Sequence, residues 1–433
     1  MRLYIFFQSM VMLWITCMCF AEGFLEKRDL AFQAAISGDV ETVERLLQDG
    51  VNINVTNEDD WTILHVAARQ GYLDLVEMLF NQNSLIHINA KTASGWTALH
   101  MATYVNHLEI VRILVNRGAN LNLTNDSAWM ALHLAAEQGN VEMVEFLLDK
   151  DKAARTSINA VNSALWSPLH IAVLEGHIAV AQVLLERGAN INAATEEGWS
   201  PLHIAAERGN FDMTKKLLEL GELRGIERNM KDSGGWTALH FAVFGGFYKV
   251  ADELIDKGLH LNEVTGSGWT ALHIASQRGN LALVNLLIDR GVDREMSLNM
   301  KNDASWTALH VAVSEGHIEV VDELIEGGAL LQSQTEEGWT VIHEASMKGD
   351  EKMVDLLIEK SMERELGLID TLTSNGWTAL HLAASQGSLV VVQKLLEKGA
   401  DKNIRDADGM TAFDHASAGG HEEVADLLQA KRR

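Results

Sequence analysis

Ten histidines stand at equivalent places in this chain, each four residues after a tryptophan: His65, His100, His133, His170, His203, His240, His273, His310, His343 and His381. Imidazole is the commonest metal ligand and titrates near neutrality, so ten of them invite a zinc or proton-transfer reading. Their spacing argues against it. They recur every 33 to 38 residues, and such a period means stacked supersecondary units instead of one core. Equivalent side chains in stacked units lie about 8 to 10 Å apart, whereas nitrogens that share a zinc each lie about 2.0 to 2.1 Å from it. No ion can collect them, so no metal site is assigned. His343-Glu344 lacks the second histidine of a zinc-protease helix. The sequence has no Gly-x-Ser-x-Gly, phosphate-binding loop or dinucleotide fingerprint. We therefore expect neither catalytic residues nor a cofactor, and a chain that is not an enzyme.

The flanking residues show what positions each histidine. Trp61, Trp96, Trp129, Trp166, Trp199, Trp236, Trp269, Trp306, Trp339 and Trp377 open a Trp-Thr-Ala-Leu-His theme that is verbatim in five copies. Thr62, Thr97, Ser167, Ser200 and Thr237 offer a hydroxyl where the first amides of a helix need an acceptor. The only prolines, Pro168 and Pro201, follow at a first-turn position where no intrahelical amide is lost. Small pairs such as Ala135-Ala136 and Ala205-Ala206 leave room for a second helix. Gly71, Gly139, Gly209, Gly279 and Gly349 supply the turn into it. Val141, Val144, Leu147 and Leu148 then form its buried stripe. Each unit reads as helix, turn, helix and an extended finger.

These segments match the Thr-Pro-Leu-His-x-Ala motif residue by residue, and Gly-Ala-Asn-x-Asn follows at Gly118 to Asn122 and Gly188 to Asn192. On these residues, over roughly 25 to 430, the chain resembles the ankyrin-repeat family. The resemblance implies an all-α solenoid of helix-turn-helix units with β-hairpin fingers, about twelve repeats in all. Residues 22–57 would be an N-terminal capping repeat that lacks the Trp motif, 58–405 ten internal repeats, and 406–433 a C-terminal cap with Met410 for Trp and Asp414 for His. In that family the motif histidine bonds backbone groups and ties adjacent units together. The finger and first helix line a concave groove that grips protein partners. The matching positions here include Arg69 and Gln70, Tyr104 and Val105, Glu207 and Arg208, Phe244 and Gly245, and Met347 and Lys348. The tryptophan position is variable in the family, which leaves two readings for Trp96, Trp129, Trp166, Trp199, Trp236, Trp269 and Trp306. They either pack on a neighbouring finger or form a partly exposed aromatic ladder that anchors an interface.

Long and short units alternate. Successive tryptophans lie 35, 33, 37, 33, 37, 33, 37, 33 and 38 residues apart. Units led by Trp129, Trp199, Trp269 and Trp339 read Gly-Asn or Gly-Asp at mid-unit, while those led by Trp166, Trp236 and Trp306 read Gly-His or Gly-Phe. The extra residues fall within 149–157, 221–228, 291–297 and 360–367. Four residues are about one helical turn of 3.6, so they fit either a longer second helix or a bulged loop. Duplication of a two-unit block explains the alternation, and so does a binding face with a two-repeat period.

The N-terminus differs in kind. Leu3 to Ala21 is almost wholly apolar after Arg2, with small residues at Cys19 and Ala21. Residues 1–21 are expected to act as a secretory signal peptide or, at the short end for a span, as a membrane anchor. Cys17 and Cys19 both lie there, so cleavage after Ala21 would leave no thiol for disulfides or metal. The expected location is outside the cytoplasm, and Asn54, Asn122 and Asn125 would be glycosylation sites only on a eukaryotic secretory route. The formal net charge of −25 repels phosphate backbones and anionic lipid. We expect a neutral or basic protein partner, no nucleic acid, no membrane contact beyond the N-terminal segment, and a monomer. Two uses of the groove stay open: a non-catalytic binding scaffold, or an exported effector acting on another cell's proteins.

Overall fold

The computed structural model describes residues 26–82, 85–151, 157–294 and 296–429. The N-terminal apolar segment, with both cysteines, lies outside them. The chain divides into two compact bodies, Met1–Glu196 with Glu219–Arg224, and Glu197–Leu218 with Gly225–Arg433. Within each, one unit follows another: a first helix such as Ala98–Tyr104 or Ala271–Gln277, then a second such as Leu108–Asn116 or Leu281–Gly291. First helices pack on first helices and second on second. The small residues predicted to allow this are fully buried, Ala135, Ala136, Ala205 and Ala206 among them. So are Val144 and Leu184 on the second-helix stripe.

Most first helices start as the hydroxyl pattern predicts; Thr237 and Thr340 are exceptions whose hydroxyls cap no helix amide, and Met130 stands where the other units have a hydroxyl. The Thr62 hydroxyl accepts from the His65 amide at 3.3 Å, and Ser167 and Ser200 do the same for His170 and His203 at 3.4 Å. Pro168 and Pro201 open their helices. Gly71 and Gly139 end theirs with φ of 81° and 71°, where glycine carries no side-chain penalty.

The fingers correct the expectation of β-hairpins. Among the described residues the one ladder contact is an isolated bridge between Thr56 and Thr62. Elsewhere the finger is a tight five-residue loop closed at both edges by one residue. The Asn125 amide donates to the Trp129 carbonyl at 3.0 Å, while the Asn125 Oδ1 accepts from the Trp129 amide at 2.9 Å. Thr92 closes on Trp96 with the same pair of bonds at 2.8 and 3.1 Å. A side chain takes the place of a backbone carbonyl, so no strand ladder propagates. Asn125 is thereby buried, Asn54 gives its amide to the Leu85 carbonyl, and Asn122 alone of the three sequons is exposed.

The alternation has a packing consequence. Second helices of the short units are nine residues long, as in Ile178–Glu186, Tyr248–Asp256 and Ile318–Glu326. Those of the long units run to ten, eleven, eleven and thirteen, in Val141–Lys150, Phe211–Gly221, Leu281–Gly291 and Glu351–Glu363. The insert therefore both lengthens the helix and adds loop. From that loop Arg224, Arg294 and Arg364 reach back to the carbonyls of Leu185, Ile255 and Ile325, in the last turn of the preceding short unit's second helix. A guanidinium there satisfies orphan carbonyls and complements the negative helix end.

The residue before each motif tryptophan adopts the left-handed conformation. It is glycine in most units, but Asp60, Ala128, Leu165 and Ser305 hold φ near 60° without that freedom. Such strain costs on the order of 1 kcal/mol, and Leu165 is 44% exposed, so its side chain repays little by packing. Leu165→Gly is expected to raise stability by about 0.5 kcal/mol after the unfolded-state entropy of glycine is counted. Gly198→Ala should lower it by more, because a Cβ there would meet the Ser233 amide nitrogen at 2.9 Å. Urea midpoints of both variants check the pair.

The histidine ties and the tryptophan face

The ten motif histidines are at most 2% exposed, and both ring nitrogens are in use. In the first internal unit the His65 Nδ1 accepts from the Thr62 amide at 3.0 Å, which leaves the hydrogen on Nε2. Nε2 donates to the Ala90 and Trp96 carbonyls of the next unit's finger, at 3.0 and 3.1 Å. The same cross-unit bond runs from His100 to Leu123, His133 to Ala160, His170 to Ala193, His203 to Trp236, His240 to Glu263, His273 to Trp306, His310 to Trp339, His343 to Thr371 and His381 to Met410. A ring spent on two backbone groups has no lone pair left for a metal or a substrate proton. The histidines are structural ties. Asp414 supports the assignment: it accepts from the Thr411 amide and hydroxyl, both at 2.8 Å. It keeps the capping half of the histidine's work and drops the forward donor in the last repeat of the pattern.

A second set of rings escaped the sequence reading. His177, His317 and His421, at the mid-unit position that follows glycine, donate through Nε2 to the carbonyls of Glu137, Gln277 and Ser385 in the preceding unit. They lie so close to Gly139, Gly279 and Gly387 that a Cβ at those glycines would stand 2.4 to 2.7 Å from the ring. Phe247 occupies the same place over Gly209 without a donor. The Gly-His dipeptides were visible as markers of alternation, but their partner lies in the previous unit, 36 to 40 residues away. Short-range pattern could not reach it.

The tryptophans Trp61 to Trp377 are all half-buried. Nine of the ten pack on the histidine of their own motif, for example Trp129 on His133 and Trp269 on His273 with centroids 5.9 Å apart, and Trp306 on His310 at 6.3 Å. Several meet the last turn of their own first helix as well. Arg69 lies over Trp61 at 5.2 Å, and Tyr104 and Phe244 stand edge-on to Trp96 and Trp236 at 5.5 Å. Trp199 meets Phe241 at 4.8 Å. Along this face Tyr104, Phe244 and Met347 are 48, 46 and 45% exposed. Arg69, Gln70, Arg208 and Lys348 are also exposed, Glu207 is half-buried, and Trp166 lies against His170. The structure thus places the site residues named from sequence on one kind of surface: finger edge, indole, and last turn of the first helix.

Burial dominates the electrostatics of the ties. Desolvation pushes His100, His133, His240, His310 and His343 down to about 4, and it lowers His65, His203, His273 and His381 in the same direction.

Stacked helix pairs with an imidazole tie between successive units define a repeat protein of the helix-turn-helix class. The family model for ankyrin repeats (3 copies) matches in seven overlapping stretches from residue 31 to 432, and the chain belongs to the ankyrin-repeat family. Among solved structures it is similar to the ankyrin repeat domain of Bcl-3, titled a unique member of the IkappaB protein family, with 28% identity and a TM-score of 0.50. That match covers 54% of this chain and all of that domain. Among curated proteins it is similar to putative glutaminase 2 of Caenorhabditis elegans, 40% identical over 50 residues, and to the human Notch-regulated ankyrin repeat-containing protein, 38% identical over 50 residues. Both matches cover 12% of this chain, with 8% of the first relative and 44% of the second. The chain therefore spans less than half the length of the curated relatives it matches.

Because unfolded histidines take a proton near 6.5 while His100, His133, His240, His310 and His343 take one only near 4, the unfolded state binds more protons between these values. Stability is then complete above pH 6.5 and declines as pH falls toward 4, by up to about 1.4 kcal/mol per pH unit for each histidine exposed on unfolding. Urea midpoints at pH 7, 6 and 5 should fall in that order; a flat series contradicts the buried neutral rings. His310→Ala orphans the Thr307 amide and the Trp339 carbonyl and should cost about 1–3 kcal/mol for each. Asp414→Ala removes a cap alone, for about 1 kcal/mol, so chemical denaturation should rank the first variant well below the second.

Proposed function

We propose that this protein is a non-catalytic scaffold whose finger and first-helix face binds a neutral or basic protein. The observation that carries the reading is the combination on that face of half-buried indoles with exposed Tyr104, Phe244 and Met347. Large aromatic and thioether side chains beside a polar rim are what interface anchors are made of, and none of the three is needed for the buried core. The ankyrin-repeat membership supports protein binding in general, and the charge of −25 supports the sign of the partner. We propose further that residues 1–21 direct export, which would place this face outside the cytoplasm.

Affinity capture with the full chain tests the face. Tyr104→Ala and Phe244→Ala together should abolish capture of a specific partner while shifting the melting temperature by no more than a few degrees, since both side chains are about half exposed. Retention of every captured protein by the double variant would place the binding surface elsewhere. N-terminal sequencing of the secreted chain, expected to begin at Glu22, checks export.

A further inference from the structure

Within the repeats, the residue after the motif histidine is apolar in nine of ten units: Val66, Met101, Leu134, Ile171, Ile204, Phe241, Ile274, Val311 and Leu382. The tenth is Glu344. An acid at a position that the other units use for packing costs stability unless something compensates it. Its surroundings show what that is. Glu344 lines a cleft of about 340 Å³ whose walls are Trp306 and Trp339, with Met347 and Glu337 also lining it. Glu337 is exposed, and the Glu344 side chain keeps 15% of its surface.

At several other tryptophans the molecule covers the ring itself, whereas Trp129, Trp166 and Trp269 carry, among the described residues, ring contacts with their own motif histidines alone. Arg69 lies over Trp61, Tyr104 against Trp96, Phe241 and Phe244 against Trp236, and His415 over Trp377. Among the described residues, the ring contacts of Trp306 and Trp339 are those with their own motif histidines. The chain also shows twice what suits such a surface. The guanidinium of Arg69 sits 5.2 Å from the Trp61 ring, and that of Arg278 sits 3.8 Å from the Phe244 ring.

We propose that the cleft between Trp306 and Trp339 is a socket for an arginine side chain of a basic protein partner, with the guanidinium between the indoles and paired to Glu344. A planar cation stacks on aromatic faces and bonds a carboxylate in two places at once, which a lysine ammonium cannot do. The contacts that Glu344 makes within the chain are weak competitors. Ser314 donates to it at 3.2 Å, and Lys348 stands 3.7 Å away on an exposed rim while its own bonds go to Ser314. An exposed pair at that separation contributes little. The socket rests on the finger-face reading above and narrows it to one rung and one chemical group.

The test uses the full chain labelled with 5-fluorotryptophan, its Trp306 and Trp339 resonances assigned through Trp306→Phe and Trp339→Phe. Titration with acetyl-Gly-Arg-Gly-amide should shift those two resonances saturably and leave the other tryptophans unmoved, and acetyl-Gly-Gln-Gly-amide should shift none. Glu344→Leu restores the residue type of the other units, so it should fold and melt at least as high as the parent. It should weaken the arginine peptide by about tenfold or more, the worth of a charge-assisted contact. Lys348→Met should strengthen it. Equal shifts at all tryptophans would mean diffuse attraction to an acidic chain and would overturn the socket, as would unchanged affinity in Glu344→Leu. If the socket fails while Tyr104→Ala with Phe244→Ala still abolishes partner capture, the finger face stands and only this rung is misassigned.

Discussion

One neutral imidazole per repeat holds the structure together. Its Nδ1 completes the cap of its own first helix, and its Nε2 hydrogen reaches the finger of the next unit. A short helix of seven or eight residues is marginal alone, and a five-residue finger without a ladder is no more stable. The ring joins the two weakest parts of neighbouring units with directional bonds in a dry environment. Burial enforces the role, because the depressed proton affinity keeps the ring neutral and the tautomer single over the neutral range. The same constraint excludes the histidines from chemistry: a nitrogen already committed to backbone can neither ligate nor shuttle.

Around that tie the remaining devices are variations on satisfying helix ends across units. Asn140, Asn280 and Asp350 cap their second helices with their own side chains. His177 and His317 do not; they turn backward to the preceding unit's glycine turn and carbonyl. Long units return the contact from the other end, with Arg224, Arg294 and Arg364 on the last turn of the short helix before them. The two-unit period is thus written into the packing as two complementary ways of ending and beginning a helix. Successive second helices add ion pairs of the same sense, Arg290 to Asp252 and Asp256 and Lys360 to Asp322 and Glu326.

Much of this was legible in advance where the interaction is local. The Thr62, Ser167 and Ser200 caps, the first-turn prolines and the glycine turns are each set within four residues, and the structure holds them as read. The fingers were misread as β-hairpins because an Asn or Thr at the loop base replaces the ladder bond, and residue type alone does not distinguish a finger that pairs from one that closes on itself. The insert was left between a longer helix and a loop, and it is both. The face residues were named one by one, yet nothing in the sequence shows that Arg69, Tyr104 and Phe244 lie against tryptophans eight residues earlier while Met347 borders an open cleft.

The sequence by itself determined the repeat, its helix pair, its caps and its family, because ten registered copies let short-range chemistry be read ten times over. Tertiary structure alone decided what each copy does for its neighbour. The partner of every tie lies 23 to 40 residues away, beyond any local periodicity, and its identity follows from how one unit stacks on the next. Glu344 shows the difference. In sequence it is an acid after a histidine; in the fold it is the one carboxylate at a position its nine counterparts give to packing, set between two indoles.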